Sequence, residues 1–424
     1  MYKKSYAGSK TGGSGGFGAS RGPKKYTGPV KKGNNPFTFR DMKRGAKKQK
    51  GQLGLDVSMF VRKAIEKTET VAFHPEHRFA DFHIEERLKA SIARRKYEHP
   101  TPIQDGSIPH ILKGRDLIGI ANTGTGKTAA FLIPLINKAL LHKDERAIIL
   151  VPTRELAVQI DEEFKEFARG LGLVSVLTIG GVHLDKQARD VRTSPHFVIG
   201  TPGRVKDLID RKFLMMPNYS NVVLDEVDRM LDMGFIKEIR HLLSLLPEKR
   251  QSLFFSATLE REAKDLAMKF LKDPITISIP SSRATSENVD QDVVYATSRE
   301  QKVEVLHDLL LKPEYEKSII FSRTKYGTAK LAKALKTRGF SVDAIHGDLS
   351  QGQRKRALDG FRGGKVSVLV ATDVAARGLD IDGVTHVINF DLPATYEDYI
   401  HRIGRTGRGN KSGSALTFID KFGS

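Results

Sequence analysis

Two series of short, unbroken apolar runs constrain the fold of this chain more than any other feature of its 424 residues. Runs without polar alternation are typical of strands buried on both faces, as in parallel sheets covered by helices. Longer amphipathic stretches separate the runs, and this alternation predicts open α/β sheets. The first series comprises LIGIA (117–121), AIILVP (147–152), VSVLTI (174–179), FVIGTP (197–202), VVLDE (222–226) and SLFFSAT (252–258). The second comprises SIIFSR (318–323), SVDAIHG (341–347), VSVLVAT (366–372), HVINFD (386–391) and SALTFI (414–419).

The two series predict two α/β lobes in tandem, a division that the chain length also favours. Between them, residues 273–292 contain two prolines and little helical period after Ile279. The second half of this stretch is predicted to be the linker. The first lobe is assigned to residues 79–282, and the second, with the linker at its start, to residues 283–424.

Residues 55–78 precede the first lobe and are predicted to be a short helical or linker segment. Within them, residues 55–68 place apolar side chains at helical spacing, which predicts a short docking helix. The apolar positions are Leu55, Met59, Val61 and Ile65.

The N-terminal tail, residues 1–54, is rich in Gly, Lys and Arg. Its first 50 residues hold 14 Lys and Arg against Asp41 alone, a net +13 within the +20 of the whole chain. Such a segment buries too little apolar surface to offset its chain entropy, so disorder is predicted. The charge favours a polyanionic partner, most often nucleic acid, and a merely solubilising tail is the alternative.

Several classes of protein are excluded by composition. The chain has no Cys, so a disulfide framework and a thiolate metal site are both ruled out. Lys3 and Lys4 are not followed by the apolar segment of a secretory signal. The longest apolar stretches, such as Ala147–Val151, fall far short of the roughly 18 residues that a membrane helix needs. We therefore expect a cytoplasmic protein without membrane contact.

A phosphate-binding loop is predicted at residues 119–128, GIANTGTGKT, between a strand and a helical run. Glycines let backbone N–H groups turn toward phosphate oxygens, and the following helix N-terminus adds a positive dipole. Lys127 would reach the β- and γ-phosphates and the Thr128 hydroxyl would bind Mg²⁺. Ala121 stands where the general motif has Gly. An ordinary Gly-rich turn is the alternative, which the order strand, loop, GKT, helix disfavours.

Two adjacent acids, Asp225 and Glu226, end a buried apolar run in VVLDEVDRMLD (222–232). The carboxyl ends of parallel strands form the ligand crevice of such a sheet, where paired acids are unfavourable unless a metal neutralises them. Asp225 suits Mg²⁺ coordination, through water, and Glu226 suits activation of the attacking water. The pattern alone also fits a helix N-cap. Its position downstream of the GKT motif favours the catalytic role, because phosphoryl transfer needs both a phosphate-binding loop and acidic residues.

A basic run, YIHRIGRTGRG (399–409), carries Arg402, Arg405 and Arg408. A solvated basic face is the usual meaning of such a run. The glycines at 404, 407 and 409 argue otherwise, since a plain surface helix would avoid them. Arg405 and Arg408 suit the role of arginine fingers, which stabilise charge on a transferred phosphoryl group.

Taken together, these motifs resemble those of the DEAD-box RNA helicases of superfamily 2. The resemblance covers residues 79–419 and rests on motifs in the family's order. They are Phe79 with KYEHPTPIQ (96–104) as the Q motif, ANTGTGKT (121–128) as motif I, PTREL (152–156) as Ia, Gly180–Gly181 as GG, TPGR (201–204) as Ib, DEVD (225–228) as II, SAT (256–258) as III, IIFSRT (319–324) as IV, QGQR (351–354) as IVa, TDVAARGLD (372–380) as V and HRIGRTGR (401–408) as VI. Two departures are Val227, where the family has Ala, and Lys96–Tyr97, where Gly-Phe is usual.

The resemblance implies two RecA-like lobes and ATP as the nucleotide. Gln104 would pair with the adenine edge, and Tyr97 with Phe79 would supply aromatic contact to the base. Gly378 and Asp380 would lie near the ribose and phosphates. Ser256 and Thr258 would bond to Asp228 and couple hydrolysis to lobe movement. The phosphate loop would contribute Ala121, Asn122, Thr123, Gly124, Thr125, Gly126, Lys127 and Thr128.

The resemblance also implies RNA bound across both lobes, mostly through phosphates and 2′-hydroxyls and hence without sequence specificity. The implied contacts are Thr153, Arg154, Gly181, Thr201, Gly203 and Arg204 in the first lobe and Arg323, Gln351, Arg354 and Thr372 in the second. An ordinary turn or cap is the alternative for each single Thr or Gly. The implied activity is RNA-stimulated ATP hydrolysis with local, non-processive unwinding or remodelling by a monomeric core.

Two alternative functions are also compatible with the sequence. A processive translocase of another superfamily 2 branch is disfavoured by the adenine element at Gln104. An ATP-gated RNA clamp or RNA chaperone with little unwinding is supported by the basic tail.

Overall fold

The computed structural model describes residues 56–64, 73–122, 124–279, 288–376, 381, 383–407 and 412–421. The predicted disordered tail lies outside these residues. So do four of the predicted site residues, Thr123, Gly378, Asp380 and Arg408. Within the described ranges, no helix is both long enough and apolar enough to span a bilayer.

The first lobe is built on a seven-stranded sheet in the order β3-β4-β2-β5-β6-β1-β7, with every pairing parallel. Its strands are β1 (Leu117–Ile120), β2 (Ala147–Leu150), β3 (Ser175–Thr178), β4 (Phe197–Gly200), β5 (Asn221–Asp225), β6 (Gln251–Ser256) and β7 (Ile275–Ser278). Successive residues of β2 enter different apolar clusters, Ile148 on one face and Ile149 on the other. Burial on both faces explains why these strands read as unbroken apolar runs.

Helices cover both faces of this sheet. They are α1 (Glu86–Arg94), α2 (Pro102–Leu112), α3 (Lys127–Leu141), α4 (Arg154–Phe167), α5 (Leu184–Arg192), α6 (Pro202–Asp210), α7 (Val227–Asp232), α8 (Ile236–Ser244) and α9 (Arg261–Phe270). Short 3₁₀ turns occur at Phe79–Asp81 and Met216–Asn218.

The second lobe repeats the plan with six parallel strands in the order β10-β11-β9-β12-β13-β8. Its strands are β8 (Val289–Ala296), β9 (Ser318–Phe321), β10 (Val342–Ile345), β11 (Val368–Ala371), β12 (His386–Asn389) and β13 (Gly413–Asp420). Its helices are α10 (Arg299–Leu310), α11 (Lys325–Thr337), α12 (Gln351–Arg362), α13 (Asp373–Ala376) and α14 (Tyr396–Ile403). The prediction of two tandem parallel-sheet lobes is confirmed.

Side-chain caps fix where several motif helices begin. Thr153 accepts a hydrogen bond from the Leu156 N–H and so caps α4 directly after β2. Thr324, Ser350 and Thr395 cap α11, α12 and α14 in the same way. A cap satisfies one of the free N–H groups of a helix's first turn. These polar residues therefore set the positions of the charged residues that follow them.

One strand was missed within the stretch assigned to the linker. β8 begins at Val289, whereas the sequence analysis placed residues 283–292 in the linker. β8 is an edge strand, and its polar residues Asp290, Gln291 and Asp292 break the apolar run. The linker prediction is therefore wrong for residues 289–292, because an edge strand needs no apolar surface on both faces.

The helix predicted over residues 55–68 is also wrong where the chain is described. Residues Val57–Phe60 form a single 3₁₀ turn, in which Asp56 accepts a hydrogen bond from the Ser58 N–H. Arg62 then pairs as extended chain with Gln291 of β8. Of the apolar positions predicted to dock, Met59 and Val61 are exposed, and Leu55 and Ile65 lie outside the described residues. Phe60, which was not among them, is the buried residue, at 1% exposure. Tertiary contact has overridden the local helical spacing.

Candidate nucleotide and RNA site

The phosphate loop curls tightly between β1 and α3. Gly126 is the N-cap residue of α3 and has a left-handed conformation with φ of +93°, and a Cβ there would lie 2.3 Å from Gln104 Nε2. Gly124 also has a positive φ of +82°. Lys127 is buried, and its Nζ donates to the Ala121 carbonyl at 2.9 Å. Glycine is thus required at position 126, and the lysine ammonium lies inside the curl of the loop.

Gln104 connects the Q motif to this loop. Its Nε2 donates to the Gly126 carbonyl at 3.0 Å, and its Oε1 accepts from the Thr101 N–H at 2.9 Å. The Thr101 hydroxyl also donates to the Thr125 carbonyl at 2.7 Å. Both ends of the amide are therefore engaged within the protein. Pairing of Gln104 with adenine stays a prediction, and the structure adds a link from α2 to the phosphate loop.

The two aromatic residues predicted to contact the base differ in accessibility: Phe79 is a core residue and Tyr97 is partly accessible. Phe79 is 3% exposed and packs with its ring centroid 5.7 Å from that of Tyr97. Tyr97 is only partly buried, and the Arg95 guanidinium lies 5.3 Å from its ring centroid. Burial, with the charge of Glu163, raises the pKa of Tyr97. Tyr97 is thus the ring that a base could reach, with Phe79 packed beside it.

Asp225 closes β5 and is almost fully buried. Burial raises its pKa to about 6, although the nearby Lys127 ammonium acts in the opposite direction. A buried carboxylate with so little compensation suits a hard cation that takes oxygen ligands. The Thr128 hydroxyl, at the start of α3, is a second oxygen of the kind that Mg²⁺ prefers. The residues present therefore fit the predicted Mg²⁺ site.

Glu226 occupies a left-handed conformation with φ of +56°, which is unusual for a residue with a side chain. Its Oε2 accepts from Arg229 Nη1 at 2.6 Å, and both side chains are buried. Burial acts to raise the pKa of Glu226, but the charges of Arg229 and Lys127 outweigh it and leave the pKa lowered. Glu226 is therefore held as a carboxylate. Arg229 was missed by the sequence analysis, and its signal is the spacing of three residues from Glu226.

Asp228 collects the hydrogen bonds predicted for motif III. Its Oδ2 accepts from the Thr258 N–H at 2.8 Å and from the Thr258 hydroxyl at 3.2 Å. The Ala257 N–H donates to the same oxygen at 2.9 Å. The Ser256 hydroxyl accepts from the Asp228 N–H at 3.2 Å. The geometry thus places Ser256 and Thr258 on Asp228, and their coupling role stays a prediction.

The arginines of the second lobe have separate surroundings. Arg402 forms a two-pronged ion pair with Asp373 at 2.6 and 2.8 Å and also donates to Asn389 Oδ1. Arg405 is 4% exposed, and its charge is one of those that lower the pKa of Glu226. Arg402 therefore anchors α14 inside its own lobe, whereas Arg405 acts on the carboxylate of the other lobe.

A narrow cavity of about 10 Å³, roughly the size of one water, marks where the lobes meet beside these groups. Its lining combines Arg229 of the first lobe with Phe321, Asp373, Ala376, Asp398, His401, Arg402 and Arg405 of the second. Burial, with the charges of Arg229 and Arg405, lowers the pKa of His401 to about 4. His401 is thus a neutral member of this interface that the sequence analysis did not assign.

The predicted RNA contacts of the first lobe gather around Arg154. Gly181 has φ of +77°, and a Cβ there would lie 2.3 Å from Arg154 Nη1. Arg204 Nη1 donates to the Val182 carbonyl at 2.9 Å. Gly203 is exposed, with open space where a side chain would be. Thr153 and Thr201 occupy the N-caps of α4 and α6. Gly181 therefore leaves room for the Arg154 side chain, whereas Gly203 leaves open space at the surface.

In the second lobe the predicted contacts differ in accessibility. Arg323 is exposed, and its backbone N–H donates to Asp391 Oδ2 at 2.9 Å. Thr372 is buried, and its carbonyl accepts from the Ala375 N–H at 3.1 Å. Thr372 thus caps α13 through its backbone, as the alternative of an ordinary turn or cap allowed. Its contact with RNA stays a prediction.

Arg354 joins the two lobes. Its Nη2 lies 2.7 Å from Glu155 Oε2, and the two side chains are 7% and 3% exposed. A second pair between the same helices, Lys355 and Glu162, is well exposed at 3.2 Å. An RNA contact was predicted for Arg354, and the structure shows that its terminal nitrogen is committed to α4. Glu155 was missed because an acid in a helix's first turn is already explained by the helix dipole.

Several buried polar atoms around this ion pair have no hydrogen-bond partner among the described residues. They are Glu155 Oε1, Gln351 Oε1, Arg354 Nε and His346 Nδ1. Buried polar groups are almost always satisfied by protein, water or ligand. The cluster therefore indicates a place where polar groups of a ligand or ordered water bind. His346, which the sequence analysis did not assign, belongs to it.

Positive charge is concentrated across both lobes at this place. Burial and the charges of Arg354 and Arg204 lower the pKa of Arg154, although Glu155 acts against them. The guanidinium of Arg154 is thus repelled by Arg204 of its own lobe and by Arg354 of the other. A polyanion bound there would relieve the repulsion.

Comparison with known proteins agrees with this architecture. A DEAD/DEAH box helicase family model matches residues 101–266, and a helicase conserved C-terminal domain model matches residues 301–410. The chain is 44% identical over 342 residues to the DEAD-box ATP-dependent RNA helicases CshA of Bacillus cereus and Bacillus subtilis. The match covers 80% of this chain, with 65% of the B. cereus protein and 69% of the B. subtilis protein. The chain therefore spans about two thirds of the length of these relatives.

Two solved structures have the same two-lobed fold. S. cerevisiae Dbp5 bound to RNA and ADP BeF3 aligns with a TM-score of 0.72 at 32% identity, over 82% of this chain and 90% of that one. Mss116p bound to ssRNA and AMP-PNP also gives 0.72, at 31% identity, over 80% of this chain and 73% of that one. The fold and site define a two-lobed nucleotide-dependent helicase class. Within it, this chain belongs to the DEAD-box ATP-dependent RNA helicase family.

Proposed function

We propose that this chain hydrolyses ATP under the control of RNA and uses the cycle to unwind or remodel short RNA duplexes and RNA–protein complexes locally. The observation that supports this most is the division of one site between two lobes. Lys127, Asp225 and Glu226 belong to the first lobe. Arg405 belongs to the second, and it lines the same cavity as Arg229, the buried partner of Glu226. Such a site is complete only when the lobes are together, so RNA that holds them together would gate hydrolysis.

In hydrolysis, a water oxygen attacks the γ-phosphorus and the bond to the β–γ bridging oxygen breaks, giving ADP and phosphate. Glu226, kept as a carboxylate by Arg229, would accept the proton of the attacking water. Lys127 would compensate phosphate charge from inside the loop, and Arg405 would add positive charge from the other lobe. Bound Mg²⁺, held by Asp225 and Thr128, would supply further neutralisation of phosphate charge.

Motif II reads DEVD in this chain, and we propose that it serves as the family's motif II. Val227 is 1% exposed and lies in the apolar cluster of the first lobe that also contains Leu224 and Met230. Its larger side chain therefore packs away from the acids. The three acids Asp225, Glu226 and Asp228 are all present, which is why we expect the chemistry to survive.

RNA recognition is proposed to be independent of sequence. The surrounding features are guanidinium groups, helix caps and the open Gly203, which suit phosphates and 2′-hydroxyls rather than base edges. The basic tail, outside the described residues, would add phosphate contacts by counterion release. The cytoplasmic location and the monomeric core stay predictions.

The proposed function is tested by measuring ATPase rate with and without RNA beside unwinding of a short RNA duplex. We expect a weak basal rate, strong stimulation by RNA and ATP-dependent strand separation. Stimulation without strand separation would favour the ATP-gated clamp, which the buried ion pair between the lobes also suits. Absence of ATP hydrolysis in both conditions would contradict the proposal.

The ion pair between the lobes gives a specific prediction. Arg354→Glu or Glu155→Arg alone should lower RNA-stimulated ATPase about tenfold or more, because either leaves like charges facing each other at a buried position. The double variant Glu155→Arg/Arg354→Glu should recover much of the loss. Steady-state ATPase and a fluorescence distance between the lobes, with RNA and a non-hydrolysable nucleotide, measure both effects.

The chain offers a matched control in Lys355→Ala, which removes an exposed pair between the same two helices. Exposed pairs contribute about 0–1 kcal/mol, so this variant should behave nearly as the parent does. If Arg354 acts only by touching RNA, the double variant will be no better than Arg354→Glu. That result would contradict the role of Arg354 in joining the lobes.

A further inference from the structure

Residues 56–64 precede the first lobe in sequence but pack on the second lobe. They are called the strap here. The strap begins with the 3₁₀ turn Val57–Phe60 and continues as extended chain. Phe60 is 1% exposed, whereas its neighbours Met59 and Val61 are 37% and 51% exposed. One side chain of the strap is thus buried in the second lobe, and its immediate neighbours point toward solvent.

The strap covers the open edge of the second sheet. The Arg62 N–H donates to the Gln291 carbonyl at 3.0 Å, and the Gln291 N–H donates to the Arg62 carbonyl at 2.7 Å. The Ala64 N–H donates to Asp290 Oδ1 at 3.0 Å. The two Arg62 bonds satisfy the backbone of Gln291 in β8, an edge strand, as an antiparallel bridge, and the Ala64 bond engages the Asp290 side chain.

Phe60 reaches the helix that leads to the catalytic arginine. Its ring meets Tyr399 of α14 edge to face, with centroids 4.8 Å apart. The Tyr399 hydroxyl donates to Gln291 Oε1 at 3.0 Å, so the helix and the edge strand are also joined. Arg402 lies one turn further along α14, and Arg405 follows where the helix ends. The strap therefore packs on the element that sets the position of Arg405.

Glu76 and His77, which come later in the sequence than the strap, contact α2 of the first lobe. The Glu76 N–H donates to Asp105 Oδ2 at 2.8 Å, and His77 Nδ1 lies 2.7 Å from Asp105 Oδ1. Asp105 is adjacent to Gln104, which bonds to the phosphate loop. One continuous piece of chain thus has contacts at α14 of one lobe and at α2 of the other.

We propose that the strap is a positioning element, in which Phe60 holds α14 so that Arg405 stands correctly for hydrolysis. This inference rests on the ATPase activity proposed above. Displacing a catalytic group by about 1 Å can lower a rate about 100-fold, so a contact remote from the reacting atoms can govern kcat. Phe60 is buried against Tyr399, and its effect passes through that residue.

The test compares single variants of the full chain in RNA-stimulated ATPase assays. Phe60→Ala should lower kcat at saturating ATP and RNA about tenfold or more, with KM for ATP changed less than about twofold. Phe60→Leu, which keeps most of the apolar volume, should fall between Phe60→Ala and the parent. The matched controls Met59→Ala and Val61→Ala alter exposed neighbours and should leave kcat unchanged. Thermal melting of each variant shows which proteins are folded at the assay temperature.

A second variant keeps the inference testable if Phe60→Ala does not fold. Arg62→Pro removes the N–H that donates to Gln291 and leaves the buried ring in place, and it should also lower kcat without a matching change in KM. A folded Phe60→Ala with parental kcat would overturn the inference, as would equal losses in Phe60→Ala and Val61→Ala. If Phe60→Ala does not fold, parental kcat in Arg62→Pro overturns it instead. If the parent itself hydrolyses no ATP, the proposed function fails, which is a separate and recognisable outcome.

Discussion

Arg405→Ala should lower the kcat of RNA-stimulated ATP hydrolysis by about 10³-fold or more, the effect of losing an arginine finger. Arg405 is buried at the lobe boundary, and its positive charge acts on Glu226 of the other lobe. Without it, the negative charge that develops on the transferred phosphoryl group loses its stabilisation from the second lobe. Arg405→Lys should also be strongly impaired, because an ammonium lacks the planar donor fork of a guanidinium.

KM for ATP should change far less than kcat in these variants, since Lys127 and the phosphate loop remain intact. The control is Arg338→Ala, which removes a second-lobe arginine that pairs with Glu304 at the surface. Steady-state kinetics at saturating RNA measure the effect, and thermal melting verifies the fold. A kcat within about threefold of the parent would show that Arg405 is a structural residue. The finger role would then fall to Arg408, which lies outside the described residues.

The fold was predictable because a strand buried on both faces of its sheet appears in the sequence as an unbroken apolar run. The strands β2 and β11 are apolar throughout and buried along their whole length, and each was recognised as a run. β8 was not recognised, because an edge strand keeps polar residues on its open side. The strap was misread as a helix for a related reason. Its conformation is set by β8 and Tyr399, which lie far away in sequence.

In the candidate site, too, local motifs were predicted, and residues whose role depends on tertiary packing were not. The phosphate loop and the acids of DEVD were predicted because each is a short local pattern with a chemical reason for its spacing, and the SAT motif was predicted through the family resemblance. The partners that tune these groups were not found. Arg229 beside Glu226, and Glu155 beside Arg354, are ordinary charged helix residues in the sequence. Only the packing of α7 and the meeting of α4 with α12 turn them into buried ion pairs.

Glu226→Gln should reduce ATP hydrolysis by about 10²–10⁴-fold, the range of a general base. Glu226 follows the last residue of β5, and its strained backbone aims the side chain at Arg229 and away from solvent. Its pKa is lowered despite burial, so at neutral pH the side chain is a carboxylate able to take a proton. Glutamine keeps the size and can still accept the hydrogen bond from Arg229, but it cannot accept the proton of water.

ATP and RNA should still bind to this variant, because Lys127, Asp225 and the arginines are unchanged. A complex closed on both ligands should therefore accumulate, visible as slow RNA release in the presence of ATP. Glu248→Gln is the matched control, since Glu248 is an exposed glutamate of the same lobe that pairs loosely with Lys272 at 3.4 Å. Single-turnover hydrolysis and RNA dissociation rates separate chemistry from binding. Normal single-turnover hydrolysis in Glu226→Gln would show that another group activates the water. Loss of ATP binding would instead show that the carboxylate acts mainly by holding Arg229 in place.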